Sequence, residues 1–360
     1  MRKTILAVLT LLALPGVAGA QTATVQKYGF SPEAFEIKFY VQPRWAYYSQ
    51  PVDLVDGKLA PETDNSFSIR RSRIYLTSNI SPSVTGRVQF DVKPDKIETL
   101  DAYFAFNPKV SEKRPWTFTV GQFKKPISYQ EFAMASSNLN LIDRPFTNDF
   151  LEKKLFVSAE DVGAMATGDL WEFGLPVTVN VGAFNGLLKG SSKYDLNSGK
   201  EFAGRVEATP VTGISVGVNG AISQRGYASD STETKNFDVW GADVVLARNN
   251  VQILAELFGG DNTEAITAEP PFFPSAIPIF HAWYAEAILR HRTGFEPAIR
   301  FEYFDPNRDD EDDGRTVWTG QLAYSFSPNF RWQVNGSREV FEGSAKKDLT
   351  AVVSQWTVRL

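Results

Sequence analysis

A chain of 360 residues with no cysteine, only two histidines and a formal net charge of −5 excludes several classes at once. Disulfide scaffolds and Cys/His metal centres lack their ligands, and an acidic balance gives no support to a nucleic-acid partner. The charge is unevenly placed, however: residues 69–125 carry 11 Lys or Arg against 5 Asp or Glu.

The N-terminus reads as a secretory signal peptide over 1–20. Met1, Arg2 and Lys3 supply the basic start, Thr4 to Leu14 the apolar run, and Ala18-Gly19-Ala20 the small residues a peptidase accepts. The apolar run is too short to span a bilayer, which takes roughly 20 apolar residues. Residues 21–32 are expected as a short periplasmic lead-in, and residues 33–360 as one domain without a linker.

From residue 33 onward the pattern alternates apolar and polar over segments of strand length. Val88, Phe90 and Val92 alternate with Arg87, Gln89 and Asp91; Ile299, Phe301 and Tyr303 with Arg300 and Glu302; Phe330, Trp332 and Val334 with Arg331, Gln333 and Asn335. In a strand this period puts one oily and one wet face on opposite sides. Strands are expected at 33–48, 66–78, 83–94, 97–107, 114–124, 158–170, 175–186, 199–209, 212–225, 235–247, 250–260, 280–291, 294–304, 314–327, 329–341 and 347–360. Links such as Asn79-Ile80-Ser81-Pro82, Pro210-Val211, Arg248-Asn249, Arg292-Thr293 and Pro328 are tight, whereas every second link is usually longer. Sixteen strands with short turns at one end and long loops at the other describe an all-β, antiparallel transmembrane β-barrel of the bacterial outer membrane. Tryptophans such as Trp45, Trp116, Trp240, Trp283, Trp318 and Trp356 fall near strand ends, where interfacial girdles belong.

The third loop, between Gln122 and Ser158, is by far the longest, and a loop of that length without its own layer usually has a function. Folded into a lumen wide enough for water, it would narrow the passage. Lys124, Lys125 and Arg144, interspersed with Glu131 and Asp143, predict an internal salt-bridge network as much as an anion site. The second strand poses a parity problem. Phe67 and Ile69 share a face, but Ile74 and Leu76 fall on the other. One extra residue around Arg70-Arg71, a β-bulge, would keep all four outside and turn Arg70, Arg73 and Tyr75 inward. Arg87 extends that basic face. Pairing with Asp91, Asp101 or Glu36 is the structural alternative to an electrostatic role.

Arg70-Arg71-Ser72-Arg73, Leu100-Asp101-Ala102-Tyr103, Val120 to Pro126 (VGQFKKP), Ser136-Ser137-Asn138-Leu139 with Ile142-Asp143-Arg144, and Val181 to Gly186 (VGAFNG) together resemble the phosphate-selective porin O and P family. The resemblance implies a homotrimeric 16-strand porin in contact with outer-membrane lipid and lipopolysaccharide, passing small anions such as phosphate or other small hydrophilic solutes. The pore-lining or anion-binding set comprises Arg70, Arg71, Arg73, Arg87, Lys124, Lys125 and Arg144. The acidic remainder of the chain and the terminal Leu360, where such barrels end in an aromatic residue, depart from the family pattern.

No enzyme is expected, and no cofactor. His281 and His291 have no Ser in the alternate positions that would share their face, and neither stands in a metal-ligand cluster. Asp305 to Asp313 begins like a calcium loop but lacks its sixth-position Gly and twelfth-position Glu, so a solvated acidic loop is expected. The competing reading is a closed barrel acting as an adhesin or structural protein, supported by the apolar stretch Pro270 to Phe280.

Overall fold

The computed structural model describes residues 35–49, 65–93, 96–108, 116–153, 155, 157–170, 175–186, 199–227, 230–261, 279–309, 312–343 and 348–360. The signal-peptide segment, the lead-in and the apolar stretch 270–278 lie outside them. Sixteen strands run in chain order. They are β1 (Phe35–Tyr48), β2 (Asn65–Ser81), β3 (Val84–Val92), β4 (Ile97–Phe106), β5 (Trp116–Lys124), β6 (Glu160–Leu170), β7 (Val177–Phe184) and β8 (Glu201–Val211). The second half comprises β9 (Ile214–Tyr227), β10 (Asp230–Arg248), β11 (Val251–Asp261), β12 (Ile279–Leu289), β13 (Ala298–Asp305), β14 (Arg315–Ser327), β15 (Phe330–Phe341) and β16 (Leu349–Arg359). Each pairs with its sequence neighbours, and β16 returns antiparallel onto β1 from Tyr40↔Arg359 to Tyr48↔Ala351, closing the barrel. Closure leaves no free sheet edge, which is what lets strands cross hydrocarbon.

The side-chain distribution is inverted relative to a water-soluble protein. Phe104 is 61% exposed and Val120 59%, with Ile222, Ile299, Trp318 and Leu322 also exposed, while Asp91, Asp101, Asn180, Arg205, Glu256, Arg300 and Gln355 are buried. In water such a surface would forfeit about 25 cal/mol for each Å² of apolar area left exposed; against lipid the same surface is favourable. Two aromatic bands mark the outer wall. Trp283, Phe301 and Trp318 lie in series at 5.1 and 4.4 Å between centroids, tilted and edge-to-face. Phe330 lies 5.2 Å from Trp356, with Phe326 and Trp332 beside them.

Short links 82–83, 212–213, 249–250 and 328–329 join strands at one end, as expected. Two strand starts, those of β10 and β13, lie more than three residues from the sequence reading. The expected loop over 226–234 is a hairpin extension, because pairing continues through Thr234↔Gly226 to Asp230↔Tyr227 across a register shift. Strand β13 starts at Ala298 rather than 294, since Gly294 turns the backbone at φ +90° and Pro297 has no N–H to give the ladder.

Candidate functional site

The bulge on β2 decides which side chains the basic stretch turns inward. Gln42 pairs with Arg71 and Pro43 with Ile69, so Arg70 is the extra residue. Pro43 is the physical reason on the partner strand: it cannot donate to the ladder, and a bulge opposite it avoids an unmatched position. Phe67 and Ile69 are exposed on the outer face as expected, and Arg70, Arg71 and Arg73 all face inward.

Each of these cations meets a partner. Arg70 Nε lies 2.8 Å from Asp143 Oδ1, and Arg44 from β1 reaches the same carboxylate at 3.4 Å. Arg71 donates to Gln42 Oε1 at 3.1 Å. Arg73 stands 3.6 Å from Asp91 and donates to Ser136 Oγ at 3.0 Å. Arg87 pairs with Asp101 at 3.1 Å, donates to Gln89 at 3.1 Å and lies over the Tyr75 ring at 4.8 Å. At the top of β5, Lys124 pairs with Glu131, which also takes Arg144 at 2.5 Å. Lys125 turns the other way: its ammonium sits 2.6 Å from Glu201 and 3.8 Å from Asp161, and its side chain is 0% exposed. Arg87, at 31%, is the most exposed of the six expected site residues whose ion pairs are resolved.

Residues 125–159 connect β5 to β6 and carry their own structure. Ser128, at φ 66°, opens a π-helical turn over Tyr129–Ala133, its hydroxyl accepting from Glu131 N–H and from Asn148. A helix, α1 (Phe146–Lys153), follows, and the sequence reading had no element there. From Gln130 to Phe146 the segment is hydrogen-bonded to the polar face of eight contiguous strands. Gln42 of β1 and Arg73 of β2 hold Ser136, and Arg44 and Arg70 hold Asp143. Gln130 N–H donates to Glu256 of β11 at 2.7 Å, Asn140 to Glu286 of β12 at 2.7 Å, and Phe146 N–H to Glu302 of β13 at 2.5 Å. Arg300 of β13 donates to the Asp143 carbonyl at 2.9 Å, and Gln321 of β14 to that of Asn140 at 2.6 Å. Arg331 of β15 donates to the Leu139 carbonyl at 2.7 Å, and Arg359 of β16 to that of Ser137.

Apolar packing completes the attachment. Phe150 lies 4.6 Å from Phe304 and 5.5 Å from Phe280, within a buried cluster with Leu151, Leu155, Val157, Leu254 and Phe258. Phe280, the last residue of the apolar stretch 270–280, is therefore buried against α1. Burial alone would raise the Asp143 carboxyl, but the guanidinium groups of Arg70, Arg44 and Arg71 override it and hold it well below the usual carboxylate range.

Arg44, Arg300, Arg331, Glu256, Glu286 and Glu302 were missed as site residues, although strand alternation already placed Arg300, Glu302 and Arg331 on the polar face. Their signal was the polar member of each alternating pair; what they touch is set by a segment 99 to 192 residues away. His291 bonds Thr293 at 2.8 Å, and His281 pairs across the ladder with Asp305. In the acidic loop, Asp305 and Asn307 accept from backbone N–H groups two residues ahead. Among the described residues no group of three His, Cys, Asp or Glu is placed to hold a metal ion.

A family model described as "Phosphate-selective porin O and P" matches residues 44–250. No curated protein matches the chain. Among solved structures, an anion-selective porin from Comamonas acidovorans is 9% identical, with a TM-score of 0.62 over 91% of this chain and 99% of that one. OmpF of Salmonella typhi, solved with daunomycin, is 13% identical with a TM-score of 0.60, covering 91% and 97%. The trimer form of OmpT from Vibrio cholerae is 11% identical with a TM-score of 0.57, covering 91% and 100%. At these identities the likeness shows the barrel fold.

Proposed function

The chain belongs to the phosphate-selective porin O and P family, an outer-membrane porin channel, and from that premise we propose that it passes small solutes with a preference for anions through a lumen narrowed by residues 125–159. The observation that carries this reading is the attachment of the segment: it leaves β5, returns to β6, and bonds to the polar face of β11 through β16, β1 and β2. A segment rooted on one wall and fastened to the opposite arc crosses the lumen. Beside the segment, Arg70, Arg73 and Arg87, joined by Arg44 and Lys124, keep partly exposed side chains, and we read them as bordering the space that remains.

Partly exposed cations in a low-dielectric wall raise the local anion concentration and lower the barrier to anion passage. No chemical step is involved, and phosphate and other small anions are the solutes this wall favours. Arg71, Lys125 and Arg144 stand behind the wall, and their contacts serve to hold the segment. A homotrimer, the form recorded for OmpT of Vibrio cholerae, is the assembly in which we place the barrel.

Planar-bilayer conductance under a potassium chloride gradient tests this. The protein should conduct with an anion-selective reversal potential, and Arg70→Gln, Arg73→Gln and Arg87→Gln together should lower the anion preference without abolishing conductance. An unchanged reversal potential in that variant would remove these residues from the pore, and no conductance in the native protein would refute the channel.

A further inference from the structure

We infer that Asp91, Asp101 and Asp143 set the degree of ion selectivity by masking the cations of the wall, and that Asp101 is the principal determinant. This rests on the reading of the wall as pore-lining. Arg44 and Arg70 share Asp143, Arg73 has Asp91, Arg87 has Asp101, and Lys124 shares Glu131 with Arg144. A passing ion therefore meets ion pairs, whose fields fall off faster with distance than those of bare charges. Six cations share four carboxylates, so the wall is rich in arginine and lysine yet most of its positive charge is masked.

The three aspartates differ in what else they do. Asp143 fastens the segment through Arg44 and Arg70, so its replacement also loosens the constriction. Asp91 accepts from Ser72 N–H at 3.3 Å and is 5% exposed, so it supports β2 as well. Asp101 has the simplest role. It stands across the ladder from Gln89, and its partner Arg87 is held independently by Gln89 Oε1 and by the Tyr75 ring. Neutralising Asp101 leaves the Arg87 guanidinium in place and exposes its charge to the ion path.

The test is the reversal potential of the full-length protein in planar bilayers under a potassium chloride gradient, for native protein, Asp101→Asn, Arg87→Gln and the double variant. Losing one carboxylate charge within a Debye length of the ion path should raise the chloride-to-potassium permeability ratio roughly two- to fivefold at moderate salt. Arg87→Gln should lower the ratio, and the double variant should return near the native value. Asp101→Ala, which removes the charge without an amide, should shift the ratio in the same direction as Asp101→Asn; opposite shifts would assign the effect to hydrogen bonding and overturn the inference. If Arg87→Gln lowers the ratio while Asp101→Asn leaves it unchanged, the wall lines the pore and the inference fails. If neither single variant moves it in a conducting channel, the wall itself is not pore-lining and both readings fall.

Discussion

Replacing Lys125 separates a residue that lines the pore from one that holds the segment. Its ammonium lies 2.6 Å from Glu201 on β8 and 3.8 Å from Asp161 on β6, and all three side chains are almost without solvent contact. Lys125→Met keeps the length and volume of the side chain but leaves two buried carboxylates without that cation. Asp161 keeps the N–H groups of Val162 and Gly186, at 2.7 and 2.8 Å, so the burden falls mainly on Glu201. Breaking a buried pair by removing one partner costs about 3–5 kcal/mol, whereas neutralising both partners costs much less. Denaturant titration in lipid vesicles, followed by the gel shift between folded and unfolded barrel, should show that loss for Lys125→Met. Lys125→Met/Glu201→Gln should recover most of it. The reversal potential should move little, because the ammonium does not meet the ion path. A stability loss under 1 kcal/mol together with a large fall in anion preference would refute the tethering role and return Lys125 to the pore wall.

Phe150→Ala removes the ring between Phe280 and Phe304 and should weaken the docking of α1 by about 3–5 kcal/mol, the usual cost of a buried aromatic. Hydrogen–deuterium exchange should accelerate over 146–153 while the strands stay protected; native protection there would sink the packing argument. Val120, 59% exposed in the middle of β5, faces lipid. Val120→Arg should cost about 2–4 kcal/mol in vesicles, the range for arginine near mid-bilayer, and a cost near zero would place that face elsewhere. Because Asp143 is held below its ordinary range, its stabilising contribution is complete above the unfolded value of about 3.9 and is lost only as pH falls through the lower folded value. The stability difference between native protein and Asp143→Asn should therefore stay constant from about pH 7 to pH 4.5. A difference that disappears within that window would contradict the ion pairs with Arg70 and Arg44.

Strand number, the inside-out faces and the family were legible along the chain because each is local. Alternation assigns faces residue by residue, and the parity break between Ile69 and Ile74 demanded a bulge before any partner was known. Pro43 supplied its cause from the opposite strand. The secondary structure of the long segment was not legible: α1 has eight residues, and its stability comes from Phe280 and Phe304 on distant strands. Two adjacent lysines, Lys124 and Lys125, look equivalent in the sequence. Only closure of the barrel, which brings Glu201 and Asp161 to one and Glu131 to the other, sends them to different tasks. The same holds for the charge of the wall. The excess of Arg and Lys over residues 69–125 is a sum along the chain, whereas an ion responds to which charges are paired within a few ångströms, and that pairing exists only once sixteen strands are in register.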